Sequence, residues 1–231
     1  MIILLKEVTS MLKCLGIYCA GGFGGVTFSI AKRINKDQAL WNKIVFIDDS
    51  TDAWSELTEV VDYCVFKQMF PKSETEIVIA AGEPNVREKL YDKVKKDGYK
   101  LANLIHPQAY AQNISKIGEG NIICAFAYVS ESNVSIGDNI ILMPYAQISH
   151  DNTVGNHCVI ASSVNLSGTT TLKDRSYIGV GAKLREGITV GEDAIVGMGA
   201  IVTKSVSDHS VVAGIPAKAI RENTGHVFGE H

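Results

Sequence analysis

The sequence predicts a small parallel α/β domain followed by an all-β parallel β-helix of hexapeptide repeats. Three observations carry the prediction. Aliphatic residues occupy every sixth position from Ile136 to Val202, twelve times in succession. That spacing suits neither the ~3.6-residue period of a helix nor the two-residue period of an ordinary strand, and it marks a repeat architecture. Residues 12–105 lack the period and alternate apolar strand patterns with helix patterns, which implies a parallel α/β sheet. A glycine-rich turn at 20–25 joins the first strand of that sheet to its first helix.

In the front domain, residues 1–105, the apolar run Met1–Leu5 is interrupted by Lys6 and Glu7 and is too short for a secretion signal. Residues 1–10 are expected to be a frayed extension. Leu12–Cys19 is an apolar strand, and Ala-Gly-Gly-Phe-Gly-Gly turns the chain into a helix with Val26, Ile30, Ala31 and Ile34 on its inner face. Ile44–Ile47 is a second strand ending in Asp48-Asp49, and Ile77–Ala81 a third ending in Gly82. Pro84 and Gly98 bracket a helix with Val86, Leu90, Tyr91 and Val94 turned inward. Ligands of such sheets bind beyond the carboxyl ends of the strands, where the loops Gly21–Gly25, Asp48-Asp49 and Gly82–Asn85 meet. The domain is about half of a full dinucleotide fold, a half-Rossmann unit, and Cys19 stands where the first glycine of the dinucleotide fingerprint belongs. A mononucleotide or nucleotide-sugar therefore fits better than NAD. The other reading is a tight strand-to-helix turn that needs glycine for its own sake.

The repeat domain, residues 106–220, follows from the six-residue period. Two positions before each aliphatic sits a second, mostly small set, including Ala146, Cys158, Ala182 and Ala200. Side chains two apart on a strand share a face, so both sets point inward and the polar remainder outward. Three such faces close a coil of eighteen residues, and stacked coils bury one aliphatic column. Glycines often follow the aliphatic, at Gly137, Gly155, Gly179, Gly191 and Gly197, where positive φ or close backbone approach costs little. The register continues upstream through Ile117, Ile123 and Val129, then slips by one, so an extra residue must bulge near Ser130–Asn133. Residues 221–231 are a C-terminal tail.

The chain has 231 residues, 46% of them hydrophobic, and a net charge of −3. No basic excess suggests nucleic acid, no Lys/Arg run suggests an anionic membrane surface, and no stretch is long and apolar enough for membrane insertion. Five cysteines without CxxC spacing read as reduced, buried residues of a cytoplasmic protein.

His150-Asp151 is the standout pair for acid/base chemistry, because a carboxylate beside an imidazole can orient it as a general base. It precedes Asn152, the one residue of the inward small set that is neither small nor aliphatic. Gly168 lies eighteen residues on, so it should stack against His150 and offer a backbone N–H to an oxyanion. The competing reading gives His150 a turn role only. His157 is the other repeat-region histidine, expected to be an exposed surface or interface residue; with no third histidine there, no metal site is expected.

The glycine loop, F-I-D-D (46–49), A-G-x-x-x-x-R (81–87), L-I-H-P (104–107), S-H-D (149–151) and G-I-P-A-K (214–218) occur together from Leu12 to Ile220. In that combination the chain resembles bacterial nucleotide-sugar acyltransferases of the left-handed β-helix superfamily, of the sialic-acid O-acetyltransferase and UDP-4-amino-sugar N-acetyltransferase type. The resemblance implies left-handed coils and a homotrimer with active sites between neighbouring prisms. It also implies acetyl-CoA as co-substrate, without metal, and a nucleotide-linked amino-sugar as acceptor. By resemblance His150 is the general base and Asp151 its partner. Gly21, Gly22, Phe23, Asp48, Asp49, Gly82 and Tyr91 contact the nucleotide-sugar; Gly168, Val180 and Met198 contact acetyl-CoA, mainly through backbone. Phe23 and Val159 depart from it, since many members carry histidine at each position. The activity implied is N-acetylation in surface-glycan synthesis. The alternatives are O-acetylation of a sugar hydroxyl on the same fold, and a trimeric scaffold that only senses a nucleotide.

Overall fold

The computed structural model describes residues 13–50, 53, 55–111, 113–225 and 227; the expected extension at 1–10 lies outside them. The front domain runs β1 (Lys13–Tyr18), α1 (Gly22–Gln38), β2 (Trp41–Ile47), β3 (Val60–Val61), α2 (Tyr63–Met69), β4 (Thr75–Ile79), α3 (Pro84–Lys96) and β5 (Lys100–Leu101). Its five strands are all parallel in the order β3-β2-β1-β4-β5. The short β3 and α2 carry too little pattern to be legible in the sequence. The two main helices bury most of their expected faces, Ile30, Ala31 and Ile34 on α1 and Val94 on α3, with Leu90 and Tyr91 packed against the core, but one valine on each turns out. Val26 and Val86 face outward, and the buried stripe of α1 is Gly24, Thr27, Ile30, Ala31 and Ile34. On α3 the charged Arg87 is as fully buried as Val94, and its hydrogen bonds are described below.

The repeat is a three-sided prism of two-residue strands wound left-handed. The first face runs from Leu104–Ile105 through Ile141–Leu142 and Val159–Ile160 to a closing hairpin, Ser210–Gly214 with Ala217–Glu222. The second contains Gln147–Ile148 and Asn165–Leu166, the third Ser135–Ile136 and Thr153–Val154. Leu104–Ile105 already pairs within the prism, just ahead of the expected boundary at 106. From Ser135 to Val202 successive strand partners are eighteen residues apart, as in Ser135↔Thr153 and Gln147↔Asn165, and the closing coil shortens to sixteen, as in Ile195↔Val211. The coil before it takes nineteen, as in Gln147↔Tyr128 and Ile141↔Ile122, and its surplus residue is at Glu131–Asn133. The aliphatic column is one continuous core from Ile123 to Val212.

The corners use the left-handed backbone region. Asn139, Tyr145, Asp151, His157, Ser163, Thr169 and Arg175 all have φ between 55° and 61°. The expected glycines at 137, 155, 179 and 191 are not among the positive-φ residues; they are needed for close approach instead. A Cβ on Gly155 would lie 2.3 Å from Asp174 Oδ1, and one on Gly191 2.3 Å from the Asp208 backbone N. At the edge between the third and first faces, side-chain oxygens form a ladder. Asn156 accepts from the Asp138 N–H (2.9 Å), Asp174 from the Asn156 N–H (2.8 Å) and Asp208 from the Glu192 N–H (2.9 Å). Each step satisfies a corner donor that would otherwise need water.

One outward column is not polar. Ile122, Ile141 and Val159 on the first face are buried, in a cluster with Leu15, Ile17, Ile30, Ala31 and Phe46 of the front domain. Burying those three aliphatics is worth roughly 5–9 kcal/mol gross, so the α/β domain is seated on the prism and not tethered to it. The seat is riveted by Arg87. Its guanidinium donates to the carbonyls of Ile79 (2.6 Å) and Ala81 (2.9 Å) in the front domain, and to the Asn139 carbonyl of the prism (2.7 and 2.9 Å). Asn139 Nδ2 donates back to the Arg87 carbonyl and lies 3.0 Å from His157 Nδ1. His157 is therefore buried at the domain junction, edge-on to Tyr91, and not an exposed residue. Cys14, Cys124 and Cys158 are buried as expected, but Cys64 is exposed and Cys19 half-buried.

Candidate active site

Two clusters hold most of the predicted site residues. The first forms where the front domain overhangs the edge between the first and second faces. The α1 N-terminus opens there, with no side-chain cap and no acidic residue in its first turn, leaving backbone donors and the positive end of the helix dipole for an anion. Gly24 is fixed by the fold, since a Cβ would sit 2.2 Å from the Cys19 carbonyl oxygen. Gly21 and Gly22 are not: a Cβ on either meets nothing within 4 Å. The tight-turn reading therefore accounts for Gly24 alone, and the space above Gly21 and Gly22 is free for a ligand.

Asp48 and Asp49 sit at the end of β2 with different tasks. Asp48 accepts from the Ala20 N–H (2.8 Å), pinning the glycine loop, and from the Ser50 N–H and hydroxyl. Asp49 accepts from the Tyr18 hydroxyl (2.6 Å), Lys93 Nζ (2.7 Å) and the Tyr63 N–H (2.9 Å). Partial burial alone would raise both carboxyls, but these donors outweigh it and hold both below the usual carboxylate range. Burial and the Asp49 charge push the Tyr18 phenol far up, so it stays a donor. Lys93 was not foreseen; it lies three residues, just under one helical turn, beyond Leu90 in a run of exposed lysines that gives no signal.

Phe23 and Gly82 reach from the front domain to Val180, and with Ile141, Met143, Val159, Ala161, Ser162 and Tyr177 they line a cleft of about 200 Å³. The two positions that depart from the resemblance, Phe23 and Val159, thus face the same space and make it apolar. Met198 is exposed on the same edge of the prism as Val180, one coil along. Tyr91 is placed elsewhere: its hydroxyl donates to Asp138 (2.9 Å) and it packs on His157, at the opposite edge of the first face. It braces the domain junction and is not part of this cleft. A cavity of about 380 Å³ at the closing hairpin contains none of the predicted residues.

The second cluster is at the edge between the second and third faces. His150 Nδ1 lies 2.8 Å from Asp151 Oδ2, with the imidazole solvent-exposed. Asn133 Nδ2 from the coil below donates to Asp151 Oδ1 (2.8 Å), and this bond, then His150, holds the carboxyl below its ordinary value. Asn133 was missed, although counting back one coil from Asp151 would have reached it. Gly168 is directly opposite: a Cβ there would be 2.5 Å from His150 Cε1 and 2.7 Å from Nε2. The imidazole lies across the bare Gly168 backbone and needs that backbone bare. Asn152 explains its inward place by donating to the carbonyls of Ser149 (2.8 Å), His150 (3.1 Å) and Ser167 (3.0 Å), which fixes the corner. An imidazole with Nδ1 on a carboxylate and Nε2 in solvent is arranged to accept a proton at Nε2.

The profile of a family described as the PglD N-terminal domain matches residues 14–94. The acetyltransferase domain of PglB from Neisseria gonorrhoeae FA1090, solved with acetyl coenzyme A, superposes with a TM-score of 0.82 at 29% identity, covering 90% of this chain and 99% of that one. In sequence and fold the chain is similar to the hexapeptide-repeat nucleotide-sugar acyltransferases. PerB from Caulobacter crescentus, in complex with CoA and GDP-perosamine, superposes on this acyltransferase with a TM-score of 0.82 at 26% identity over 91% of this chain and 98% of its own. A GDP-perosamine N-acetyltransferase of Escherichia coli O157:H7 is 28% identical over 187 residues, 80% of this chain and 83% of the relative. Among the described residues of the acyltransferase no helix is long and apolar enough to cross a membrane.

Proposed function

We propose that this acyltransferase moves the acetyl group of acetyl-CoA to the amino group of a nucleotide-linked amino-deoxysugar, in the cytoplasm and in the service of surface-glycan synthesis. The observation that carries the catalytic half is the imidazole of His150 braced by Asp151 and laid across Gly168. In this reading His150 Nε2 takes a proton from the sugar amine as its nitrogen bonds to the thioester carbon. The tetrahedral oxyanion is met by a backbone N–H, that of Gly168. As the intermediate collapses the C–S bond breaks and the thiolate of CoA recovers the proton. Transfer is direct: Cys158 faces inward and burial pushes its thiol up to about 11, and buried Cys124 is pushed to about 12, so neither is a ready nucleophile.

The nucleotide-sugar is read by the first cluster. Its phosphates take the α1 N-terminus at Gly21 and Gly22, with Asp48 and Asp49 beside them and the sugar along the cleft at Phe23 and Gly82. Val180 and Met198 mark the edge that acetyl-CoA follows. The second face of the prism separates that edge from His150, so the cleft and the base of one chain cannot serve the same sugar. A homotrimer, which sets the base of one copy against the cleft of the next, resolves the separation.

The test is a panel of amino- and hydroxy-sugar nucleotides with acetyl-CoA, read by thiol release, on wild type and His150→Ala. The expected result is consumption with an amino-sugar nucleotide and a loss of about 10²–10⁴-fold in kcat on removing the base. A normally folded His150→Ala that keeps near-wild-type transfer ends the assignment of the base.

A further inference from the structure

We propose that residues 223–225 and 227, beyond the closing hairpin, act as a strap that positions the Gly82 loop for the nucleotide-sugar, with Glu83 as its anchoring residue. The proposal rests on the reading of the first cluster given above.

The loop between β4 and α3 is held from two sides. From below, Arg87 grips the carbonyls of Ile79 and Ala81, and its own N–H donates to the Glu83 carbonyl (2.9 Å). From the other side comes the far end of the chain. The Val227 N–H donates to both carboxylate oxygens of Glu83 (3.1 and 3.2 Å), and Asn85 Nδ2 donates to the Gly225 carbonyl (3.0 Å). These contacts join residues 140 and 144 positions apart in sequence. The strap is itself anchored on the prism: the Asn223 N–H donates to the His209 carbonyl (2.7 Å), and Asn223 Nδ2 to the Asp193 carbonyl (2.7 Å). Asn223 Oδ1 then accepts from the Gly225 N–H (3.0 Å), turning the chain toward α3.

Glu83 is placed to pass this anchorage on to the cleft. It follows Gly82, which lines the cleft, and its charge acts on the phenol of Tyr177 in the cleft wall, which burial already raises. Glu83 is also the residue at which α3 begins, and its side chain does not cap its own helix. The carboxylate is thus committed to the strap in place of the local turn. A backbone donor bridging both oxygens of a carboxylate is a charge-assisted contact, stronger than a neutral one. Without it the loop keeps the Arg87 grip but loses its charge-assisted tie to the strap, and Gly82 can move relative to Phe23 across the cleft.

Three variants of the full enzyme test this: truncation after Glu222, Glu83→Ala, and both together, with Glu83→Gln as the conservative change. The expected result for truncation or Glu83→Ala is a rise of about 5–20-fold in KM for the nucleotide amino-sugar, the scale of a single lost hydrogen bond to a charged group, with kcat and KM for acetyl-CoA within twofold. The double variant should be no worse than truncation alone, because truncation already removes the partner of Glu83. Glu83→Gln keeps an acceptor and should recover most of the affinity. Amide hydrogen exchange at residues 82–87, read without substrate, should speed up about tenfold on truncation. An unchanged exchange rate, or an acceptor KM within twofold of wild type, overturns the strap. If the intact enzyme acetylates none of the nucleotide amino-sugars, the functional reading falls, and the exchange measurement still decides the strap.

Discussion

Gly168→Ala is the most informative single substitution. The new methyl would lie 2.5 Å from His150 Cε1, 2.7 Å from Nε2 and 3.2 Å from Nδ1, where ordinary contact begins at 3.4 Å. The imidazole must therefore retreat by about 1 Å. Gly168 is not among the positive-φ residues, so alanine meets no backbone strain there, and the exposed imidazole has solvent to swing into. Stability should barely change, by about 2 °C in Tm at most. Activity should fall about 100-fold, the cost typical of a reacting group displaced by ~1 Å. Alanine keeps the backbone N–H, so the loss reports on the imidazole and not on the oxyanion donor. The assay is steady-state thiol release with acetyl-CoA and the acceptor, alongside thermal unfolding of both proteins. A Gly168→Ala enzyme within threefold of wild type in kcat/KM, with unaltered Tm, would refute the claim that this glycine exists to seat the base.

Two further outcomes follow from the same contacts. Asn152→Val removes the donor shared by three corner carbonyls, at about 1–3 kcal/mol for buried acceptors left unpaired, so Tm should drop by roughly 2–12 °C and turnover should fall with it. Thermal unfolding and kinetics on the purified variant check both. His157 is held neutral chiefly by burial, which lowers its pKa, and its Nδ1 accepts from Asn139. The unfolded chain takes up a proton near pH 6.5 and the folded one does not, so the unfolded state binds more protons and stability falls as pH drops below about 6.5. Denaturant titrations at pH 7.5 and 5.5 should show that loss in wild type and a smaller one in His157→Gln.

The prism was legible because its signal repeats: one aliphatic in six residues, sustained over twelve steps, leaves no other architecture. Even the slip before Ile136 announced its surplus residue. The S-H-D corner and its glycine were legible for the same reason, since eighteen residues on means directly above. What escaped is what the period does not encode. The outward residues Ile122, Ile141 and Val159 form an apolar column that a count every eighteen or nineteen residues would have found, but only a reader looking for a second domain would look there. Arg87 and Val86 show why the front domain was harder. Helical periodicity puts apolar residues inside, yet beside Val94 the helix also buries a guanidinium that donates both to nearby Ile79 and Ala81 and to Asn139, 52 residues away in the prism. Tyr91 was drawn to the ligand by resemblance, and its hydroxyl instead serves the junction.

The carboxylate and amide ladder along the edge from Asp138 to Asp208 has a bearing on how such an enzyme can diversify. Each rung caps a donor one coil away, so a residue inserted on that edge would leave a backbone N–H stranded and shift the seat of the α/β domain at once. The edge bearing His150 is capped more sparsely, with the Thr189 N–H on Ser205 Oγ (3.0 Å), and it carries the surplus residue just before Asn133, which lies under Asp151. Length variation in this scaffold is thus better tolerated at the rim bearing His150 than on the docking side, where an inserted residue would break the ladder.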